Sequence, residues 1–472
     1  MNSATESMSD RATSGPELFA PLDRAAPLPL HAQLERAVRD AISAGGLRPG
    51  ARLPASRALA QAAGVSRGVV SEAYAQLAAE GWIELHRGTA PVVRALGTGG
   101  AGAAPPAAAP AAARLDLSAT APDLTRFPRR AWATSGRRML ATLPDAALDY
   151  GEPLGDPVLR GELAAHLVRS RGAAAAPELI AVTSGYTQGL WLACRVLARR
   201  GARRIAVEDP SLDDAWATVR SAGLELVALP VDDDGARVQE LERLRVDAVL
   251  LTPAHQFPTG AVLAADRRRA VLDWAADGRM VIEDDYDAEY RYDRAPVGPL
   301  QRLAPDRVVL LGSTSKTLAP ALRLGWMLAP AGFATAAGAE RWPVDSGPPI
   351  LTGRTYAHLL AAGELERHLR RTRRDYRRRR DLLVALLAQR LPDARVAGIA
   401  AGLHLLLRLP PGTDEAAVVA AAARARVRVR GLADYRLAAR PDQPALVLGY
   451  GRLPEAAVPA AVAALASALA PT

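Results

Sequence analysis

The chain contains almost no lysine. Its 59 Lys and Arg residues include a single lysine, Lys316, and all the others are arginine. Since arginine serves wherever a positive charge is enough, we expect this one position to need chemistry that a guanidinium cannot perform. A primary amine can lose its proton and form a Schiff base with an aldehyde, whereas arginine stays protonated in proteins. The composition therefore indicates Lys316 as a candidate reactive amine.

Cysteine is equally scarce, and long apolar runs are missing. Cys194 is the only cysteine, so an intramolecular disulfide is excluded and a reducing, cytoplasmic compartment is expected. It falls in a helical apolar pattern, which favours a core residue over a reactive thiol. No stretch of about twenty apolar residues predicts a membrane span, and the polar N-terminus has no apolar run of the signal-peptide kind. We expect neither a membrane partner nor a metal site.

Length and composition shifts divide the chain into several parts. A chain of 472 residues predicts two or three domains, and a net charge of +9 permits nucleic acid as a partner. We expect a disordered polar tail over residues 1–24, a first domain over 25–94, an Ala/Pro/Gly linker over 95–114 and a larger domain over 115–472.

The first domain carries two short helical patterns joined by a tight turn. Each pattern opens on a serine that can cap a helix, Ser56 or Ser66, and closes on a glycine. This arrangement sets a second helix into the DNA major groove. The following run, WIELHRGTAPVV, predicts a two-stranded ribbon that turns near Gly88. The stretch GARLPASRALAQAAGVSRGVVSEAYAQLAAEGWI resembles the winged helix-turn-helix of the GntR family.

That resemblance implies double-stranded DNA as a partner. It assigns phosphate and base contacts to three arginines, the start of the recognition helix to a serine and the wing tip to a glycine: Arg52, Arg57, Arg67, Ser66 and Gly88. Each arginine taken alone could be a solvated charge. On one scaffold, the set favours DNA binding.

Beyond residue 115, short apolar runs alternate with helical patterns. This alternation predicts a mostly parallel sheet with helices on both faces, and ligands on such sheets bind at the carboxyl ends of the strands. After Thr352, arginine-laced helices and a last apolar run, ALVLGYG, suggest a smaller α+β domain. The arginine-rich run over residues 368–380 predicts a solvated helix face, with an auxiliary DNA contact as the alternative. The expected fold is multidomain, an α+β winged helix-turn-helix followed by an α/β domain with a small C-terminal α+β subdomain.

The residues around Lys316 match the needs of pyridoxal phosphate (PLP), the usual aldehyde cofactor. Ser313 and Ser315 stand beside the amine, and Arg323 can bind a phosphate. Asp284 ends a predicted buried strand, where a carboxylate is costly unless it meets a partner such as a protonated pyridine nitrogen. The run SGYTQG, from Ser184, sets free backbone amides at a helix start, which favours a phosphate. Together these features predict PLP as the cofactor.

The runs GSTSKTLAPALRLGW, EDDYD and TPAHQFPTG resemble segments of fold-type I PLP enzymes, in the form found in the aminotransferase-like half of the MocR group of GntR regulators. The resemblance implies that Lys316 holds PLP, that Asp284 meets the ring nitrogen and that Tyr286 meets the ring hydroxyl. It assigns three further residues to the phosphate cradle: Gly185, Tyr186 and Thr187. His255 is expected near the ring, with a structural role as the alternative, and Asp285 and Asp287 are expected to cap a helix.

The same resemblance implies a homodimer that binds an operator of repeated half-sites. Fold-type I sites are usually built at a dimer interface, and Tyr150 lies in a segment whose tyrosine can come from the other subunit. Two positions depart from the enzyme pattern. Leu212 replaces a common aromatic residue, and Val447 stands where many aminotransferases hold the substrate carboxylate with an arginine. Turnover should suffer without that guanidinium, although three other arginines could replace it: Arg430, Arg436 and Arg452.

We therefore predict a transcriptional regulator whose DNA binding responds to PLP or an amine effector. Control of vitamin B6 synthesis and of amine or amino acid metabolism are both compatible with the resemblance. We expect the aminotransferase-like domain to sense ligands, with a residual half-reaction at most. The alternatives are a working aminotransferase with an accessory DNA-binding domain, and a plain DNA-binding regulator whose PLP site is degenerate.

Overall fold

The computed structural model describes residues 22–86, 88–95, 114–119, 121–293, 297–438 and 443–469. The chain divides into two compact units, Met1–Pro110 and Ala111–Thr472. Most of the predicted tail and nearly all of the predicted linker lie outside the described residues. Within these described ranges, no helix is long and apolar enough to cross a bilayer.

The first unit packs three helices against a two-stranded ribbon. Its elements are α1 (Leu30–Ser43), α2 (Ser56–Ala62), α3 (Arg67–Ala79), β1 (Ile83–Glu84) and β2 (Val92–Val93). The core draws on apolar residues at helical spacing in α1 and α3, such as Leu34, Val38 and Leu77, and on Ile83 of the ribbon. The antiparallel pairing of β1 with β2 agrees with the predicted winged helix-turn-helix.

The two predicted capping serines differ in their roles. The Ser66 hydroxyl accepts a hydrogen bond from the Val69 amide at 3.4 Å and begins α3 as expected. Ser56 lies one residue inside α2, which starts after Ala55 without a side-chain cap. The prediction of a cap at Ser56 is therefore wrong, because the helix begins one residue earlier than the serine pattern suggests.

The second unit contains longer elements. Its strands are β3 (Leu115–Asp116), β4 (Ile180–Thr183), β5 (Arg204–Asp209), β6 (Glu225–Asp232), β7 (Gly235–Ala236), β8 (Ala248–Leu251), β9 (Met280–Asp284), β10 (Val308–Ser313), β11 (Gly325–Leu328), β12 (Arg395–Ala397), β13 (His404–Arg408), β14 (Val427–Arg428), β15 (Arg430–Gly431) and β16 (Ala445–Gly449). Its helices are α4 (Arg129–Thr142), α5 (Pro157–Arg171), α6 (Tyr186–Arg199), α7 (Asp213–Ser221), α8 (Leu241–Leu244), α9 (Ala265–Trp274), α10 (Ala331–Asp345), α11 (Ile350–Ala361), α12 (Glu364–Arg390), α13 (Glu415–Arg424) and α14 (Val458–Leu469).

An eight-stranded sheet, in the order β4-β11-β10-β9-β8-β5-β6-β7, forms the centre of this unit. Strands β10, β9, β8, β5 and β6 run parallel to one another, whereas β11 and β7 are antiparallel to the strands they pair with. Residues of β8 and β9 are buried throughout, because apolar clusters cover both faces of the sheet. The predicted α/β sheet is confirmed, and the carboxyl ends of β5, β8, β9 and β10 meet at one edge.

The C-terminal part packs helices on a four-stranded antiparallel sheet, in the order β12-β13-β16-β15. The arginine-rich run lies in α12, which has two different faces. His368, Thr372, Tyr376 and Arg379 are buried, and Arg379 pairs with Asp123 at 2.5 Å. The other face exposes many of the remaining arginines, so the prediction of a solvated face holds for only part of the run.

Candidate functional site

A cavity of about 300 Å³ lies where β5, β8, β9 and β10 end. Strand ends carry most of its polar groups, because Asp284 is the last residue of β9 and Ser313 is the last of β10. Lys316 follows three residues later. Eight of the predicted cofactor residues line this cavity: Tyr186, Thr187, Asp284, Tyr286, Ser313, Ser315, Lys316 and Arg323.

The amine and the acid at the centre of the cavity perturb each other. Burial lowers the pKa of Lys316, and the nearby carboxylates of Asp284 and Asp287 partly oppose that effect. Burial also raises the pKa of Asp284 well above its ordinary value, with Asp285 adding to the rise and Lys316 opposing it. A lowered pKa increases the fraction of Lys316 that is present as the neutral, nucleophilic amine.

The other end of the cavity gathers groups that bind anions. Gly185 precedes α6 with φ of +106°, and a Cβ there would stand 3.5 Å from Arg323 Nη1. The first amides of α6, including that of Thr187, point out of the helix start without helical partners. The Ser315 amide donates to Ser313 Oγ at 3.0 Å, and Ser313 Oγ donates to Ser315 Oγ at 2.8 Å. Amides, a guanidinium and hydroxyls therefore form an arrangement that fits a phosphate.

Two tyrosines stand at the acid end. The hydroxyl of Tyr186 interacts with the Asp284 carboxylate. Tyr186 can therefore contribute only its backbone amide to the anion-binding end of the cavity. The Tyr286 hydroxyl lies 3.0 Å from His255 Nδ1. That nitrogen also lies 3.1 Å from both carboxylate oxygens of Asp287. His255 does not line the cavity but stands behind Tyr286 and fixes its position.

Asp287 precedes the short 3-10 helix Ala288–Tyr290, but its carboxylate makes no cap hydrogen bond, so the expected capping by the Asp285 and Asp287 side chains is wrong. Asp285 forms a buried ion pair with Arg171, with Nε and Oδ2 2.6 Å apart, and Asp287 contacts His255. Both carboxylates bind partners that are distant in the sequence, and a local pattern does not reveal such partners. His404 extends the group behind Tyr286: His255, Asp287 and His404 set possible ligand atoms within 4.8 Å of one another. Burial lowers the pKa of His404 well below its ordinary value.

The five predicted DNA-binding residues lie on exposed positions of the first unit. Arg57 is the second residue of α2 and Arg67 the first of α3, and neither forms a hydrogen bond or ion pair within the described ranges. Ser66 caps α3. Arg52 pairs with Val92 of the ribbon. Gly88, with φ of +79°, lies between β1 and β2, and a Cβ there would touch nothing within 4 Å.

Comparison with known proteins identifies both units. Residues 30–93 match the model of bacterial regulatory proteins of the gntR family, and residues 115–462 match that of aminotransferase class I and II. The HTH-type pyridoxine biosynthesis transcriptional regulator PdxR of Corynebacterium glutamicum is 34% identical over 437 residues, which cover 90% of this chain and 92% of that protein. The chain belongs to the MocR subfamily of GntR regulators.

Further similarities agree with this assignment. The probable rhizopine catabolism regulatory protein MocR of Rhizobium meliloti is 32% identical over 454 residues, 91% of either chain. Among solved structures, an archaeal alanine:glyoxylate aminotransferase is similar, with a TM-score of 0.69 and 26% identity over 75% of this chain and 90% of that one. This MocR-type chain is thus a helix-turn-helix transcriptional regulator with an aminotransferase-like domain.

Within the described residues, the MocR-type cavity lacks a ready clamp for a substrate carboxylate. Val447 is buried in an apolar cluster with Phe257, Leu406, Leu432, Tyr435 and Ala445, and the partly buried Leu212 and Tyr286 pack against it. The three arginines that could have replaced the missing guanidinium interact with other groups. Arg430 pairs with Asp213 at 2.8 Å, Arg436 donates to the Asp209 carbonyl at 2.8 Å, and Arg452 lies 3.5 Å from Asp116. Among the described residues that line the cavity, Arg323 is the only arginine.

Glu208 is a cavity residue that the sequence analysis missed. It lies in β5 next to the strand end, and its Oε2 accepts hydrogen bonds from Thr252 Oγ1 at 2.5 Å and the Thr252 amide at 3.1 Å. Burial raises the pKa of Glu208 to about 7. The signal was available, because RIAVEDP places an acid at the end of an apolar strand just as MVIEDD does.

The buried glutamate predicts a pH-dependent effect on stability. Glu208→Gln should match the parent chain near pH 4.5, the ordinary pKa, because the protonated glutamic acid is then also neutral. Between pH 4.5 and about 7, the folded parent keeps a proton on Glu208 that the unfolded chain has lost. The free energy of unfolding of the parent therefore falls over this range, and the fall is complete once the pH has risen through about 7. Above that pH the variant should be more stable by roughly 3 kcal/mol. Denaturant unfolding at a series of pH values measures the difference.

Glu178→Gln, at an exposed position, is the matched control and should not reproduce this pH profile. A difference between parent and Glu208→Gln that stays constant from acid to neutral pH would contradict the assignment of a buried carboxyl group with a raised pKa.

Proposed function

We propose that the chain binds PLP at Lys316 and that PLP or an amine effector, acting in the aminotransferase-like domain, controls DNA binding by the winged helix-turn-helix. The observation that carries this proposal is the cavity itself, in which a buried amine and a buried acid face a separate anion-binding end. When bound, PLP supplies an aldehyde for a primary amine and an electron-withdrawing ring. The residues present fit such a cofactor in charge, shape and chemistry.

Each group of the cavity then has a defined task. Lys316 provides the amine, and Asp284 holds a proton on the ring nitrogen, which offsets the cost of its own burial. Tyr286, fixed by His255, donates toward the ring oxygen. The phosphate is held by the helix-start amides, the paired serines and the guanidinium: Gly185, Tyr186, Thr187, Ser313, Ser315 and Arg323.

Control of DNA binding requires that the two sites be energetically coupled. A ligand that prefers one arrangement of the protein shifts DNA affinity, and DNA must shift ligand affinity by the same factor. The relatives PdxR and MocR are named for pyridoxine biosynthesis and rhizopine catabolism. By analogy, the regulated genes belong to vitamin B6 or amine metabolism, and the protein acts in the cytoplasm.

A working aminotransferase is the second candidate, because the second unit resembles solved aminotransferases. The apolar surroundings of Val447 argue against it, since a substrate carboxylate loses its main orienting contact. Sustained conversion of an amino acid and a keto acid by the PLP-loaded chain would favour the enzyme. Ligand exchange without product favours the sensor.

A homodimer is part of the proposal, because apolar side chains are exposed together on two neighbouring segments. Leu148, Tyr150 and Val344 are 64%, 81% and 64% exposed. The segments that carry them are adjacent, since a Cβ on Gly151 would stand 3.0 Å from Ile350 Cδ1. An exposed patch of this kind is typical of a subunit interface. Two winged helix-turn-helix domains per dimer would bind two half-sites.

Borohydride reduction tests the cofactor assignment. Reduction of the PLP-loaded chain should fix a pyridoxyl group on Lys316, and mass spectrometry should locate it there. Lys316→Ala and Lys316→Arg should both lose the adduct and the visible absorbance, since neither a methyl group nor a guanidinium is a suitable nucleophile. Arg67→Ala is the control and should keep both signals. An adduct retained at this position or moved elsewhere in either lysine variant would sink the proposal.

Substitution in the recognition helix tests the DNA assignment. Arg67→Ala should weaken binding to DNA upstream of the chain's own gene about tenfold. It should also reduce the slope of log affinity against log salt concentration by about one, because one phosphate contact is lost. Gel-shift assays at several salt concentrations, with and without PLP, measure both effects. Arg36→Ala removes an arginine that is 75% exposed on α1 and should change neither. Equal affinity of Arg67→Ala and parent at every salt concentration would mean that α3 does not read DNA through this residue.

A charge placed in the exposed apolar patch tests the dimer. Leu148→Asp should shift the chain toward monomers, because a carboxylate buried at an apolar interface is costly. Light scattering coupled to size-exclusion chromatography reports the mass. Leu303→Asp is a close control, since Leu303 is 62% exposed but lies outside both segments. A parent chain that is already monomeric, or a Leu148→Asp chain that remains dimeric, would argue against this interface.

A further inference from the structure

The cavity holds more acidic groups than PLP can use. Its charged lining residues are the cations Lys316 and Arg323 and three carboxylates: Glu208, Asp214 and Asp284. If the proposed function is right, Lys316, Arg323 and Asp284 are all committed to the cofactor. The ionisable groups left for an effector are then two acids, Glu208 and Asp214, and the described lining residues offer it no further cation.

Glu208 has a carboxylate oxygen that is still available. Its side chain is only 4% exposed, and the hydrogen bonds it receives from Thr252 and Gln256 all end on Oε2. Oε1 accepts none from the described part of the chain. A carboxylate can accept about four hydrogen bonds, so the second oxygen of this largely buried side chain, in the cavity wall, suits a donor that arrives from the cavity.

Asp214 contributes the second carboxylate. It stands beside Asp213 in the first turn of α7, but only Asp214 lines the cavity, because Asp213 is held by Arg430. The Asp214 charge acts on Lys316, and both Glu208 and Asp214 line the cavity that holds this amine. Between the charged groups, the walls are apolar, with Leu212, Leu250 and Phe257 suited to a short methylene chain.

We propose that the effector is a short aliphatic diamine, with one amino group directed at Lys316 and a second ammonium group bound by Glu208 and Asp214. An amino acid of similar length fits less well, because its carboxylate would meet these two acids and find Val447 where a guanidinium would be needed. A monoamine of that length would reach Lys316 but leave Glu208 Oε1 without a donor.

Three matched ligands test this proposal by isothermal titration calorimetry on the PLP-loaded full chain. Putrescine, butylamine and γ-aminobutyrate share a four-carbon chain and differ at one end, which is an ammonium, a methyl or a carboxylate group. Putrescine should bind at least about tenfold more tightly than the other two, as expected for a charge-assisted hydrogen bond. Equal or tighter binding of γ-aminobutyrate would overturn the proposal.

Two variants localise the effect. Glu208→Gln and Asp214→Asn should each weaken putrescine binding severalfold and leave butylamine binding unchanged, since butylamine has no second ammonium group. Asp214 is exposed, so Asp214→Asn should fold even if Glu208→Gln does not. Unchanged putrescine affinity in the folded variants would refute the role of these carboxylates.

The same samples separate this proposal from the one it rests on. Borohydride reduction and mass spectrometry report PLP at Lys316 independently of any amine. A loaded chain without preference for putrescine overturns only the diamine proposal. A chain without PLP at Lys316 overturns both.

Discussion

A buried carboxylate and a buried amine share one cavity, and the sheet around them keeps them together. Asp284 and Lys316 both leave parallel neighbouring strands at the same edge, since Leu311 of β10 pairs with Asp284 of β9. Each group would tend to be neutral alone, because desolvation disfavours its charged form. Their mutual attraction counters that tendency. Bound PLP would lower the cost of burying both groups, because its aldehyde takes the neutral amine of Lys316 and its protonated ring nitrogen pairs with the Asp284 carboxylate.

The antiparallel strand β11 builds the other end of the cavity. It pairs with β10 on one side and β4 on the other, with Gly325 opposite both Ser313 and Thr183. The turn before β11 therefore delivers Arg323 to the start of α6, next to Gly185. A Cβ on Gly325 would stand 2.8 Å from the Gly185 Cα, so this close approach requires glycine at 325, while the φ of +106° favours glycine at 185. The phosphate-binding geometry thus follows from strand order.

Local patterns in the sequence were sufficient for much of this architecture. The short apolar runs between Ile180 and Leu328 form strands because they combine buried faces with polar ends, and residues at those ends converge as parallel strands require. The PLP site itself stays a prediction, supported by the way Lys316, Asp284 and Arg323 meet. The antiparallel course of β11 could not be read, because pairing direction depends on contacts far along the chain.

The residues that were misjudged share the same difficulty. Asp285 meets Arg171 across 114 positions, and His255 meets Asp287 across 32, so a local acidic pattern gave no sign of either partner. Glu208 was hidden for a different reason. It sits in the same strand-end pattern as Asp284, but the resemblance gave it no role, and its place in the cavity wall was recognised only in three dimensions.

The replacement of a guanidinium by Val447 separates binding from turnover. A cavity that keeps its amine, its acid and its anion site can still capture amines, while the loss of a carboxylate clamp removes the contact that would orient an amino acid for repeated chemistry. Such a domain is suited to report on a ligand rather than to consume it, which agrees with its fusion to a helix-turn-helix.

The apolar cluster around Val447 joins elements that are distant in the sequence. It includes Leu406 and Val447 from the C-terminal sheet and Phe257, from the loop after β8, which also lines the cavity. The C-terminal sheet and the cavity wall therefore share one side chain, Phe257. A ligand that packs against Phe257 would also support the contact between this loop and the sheet.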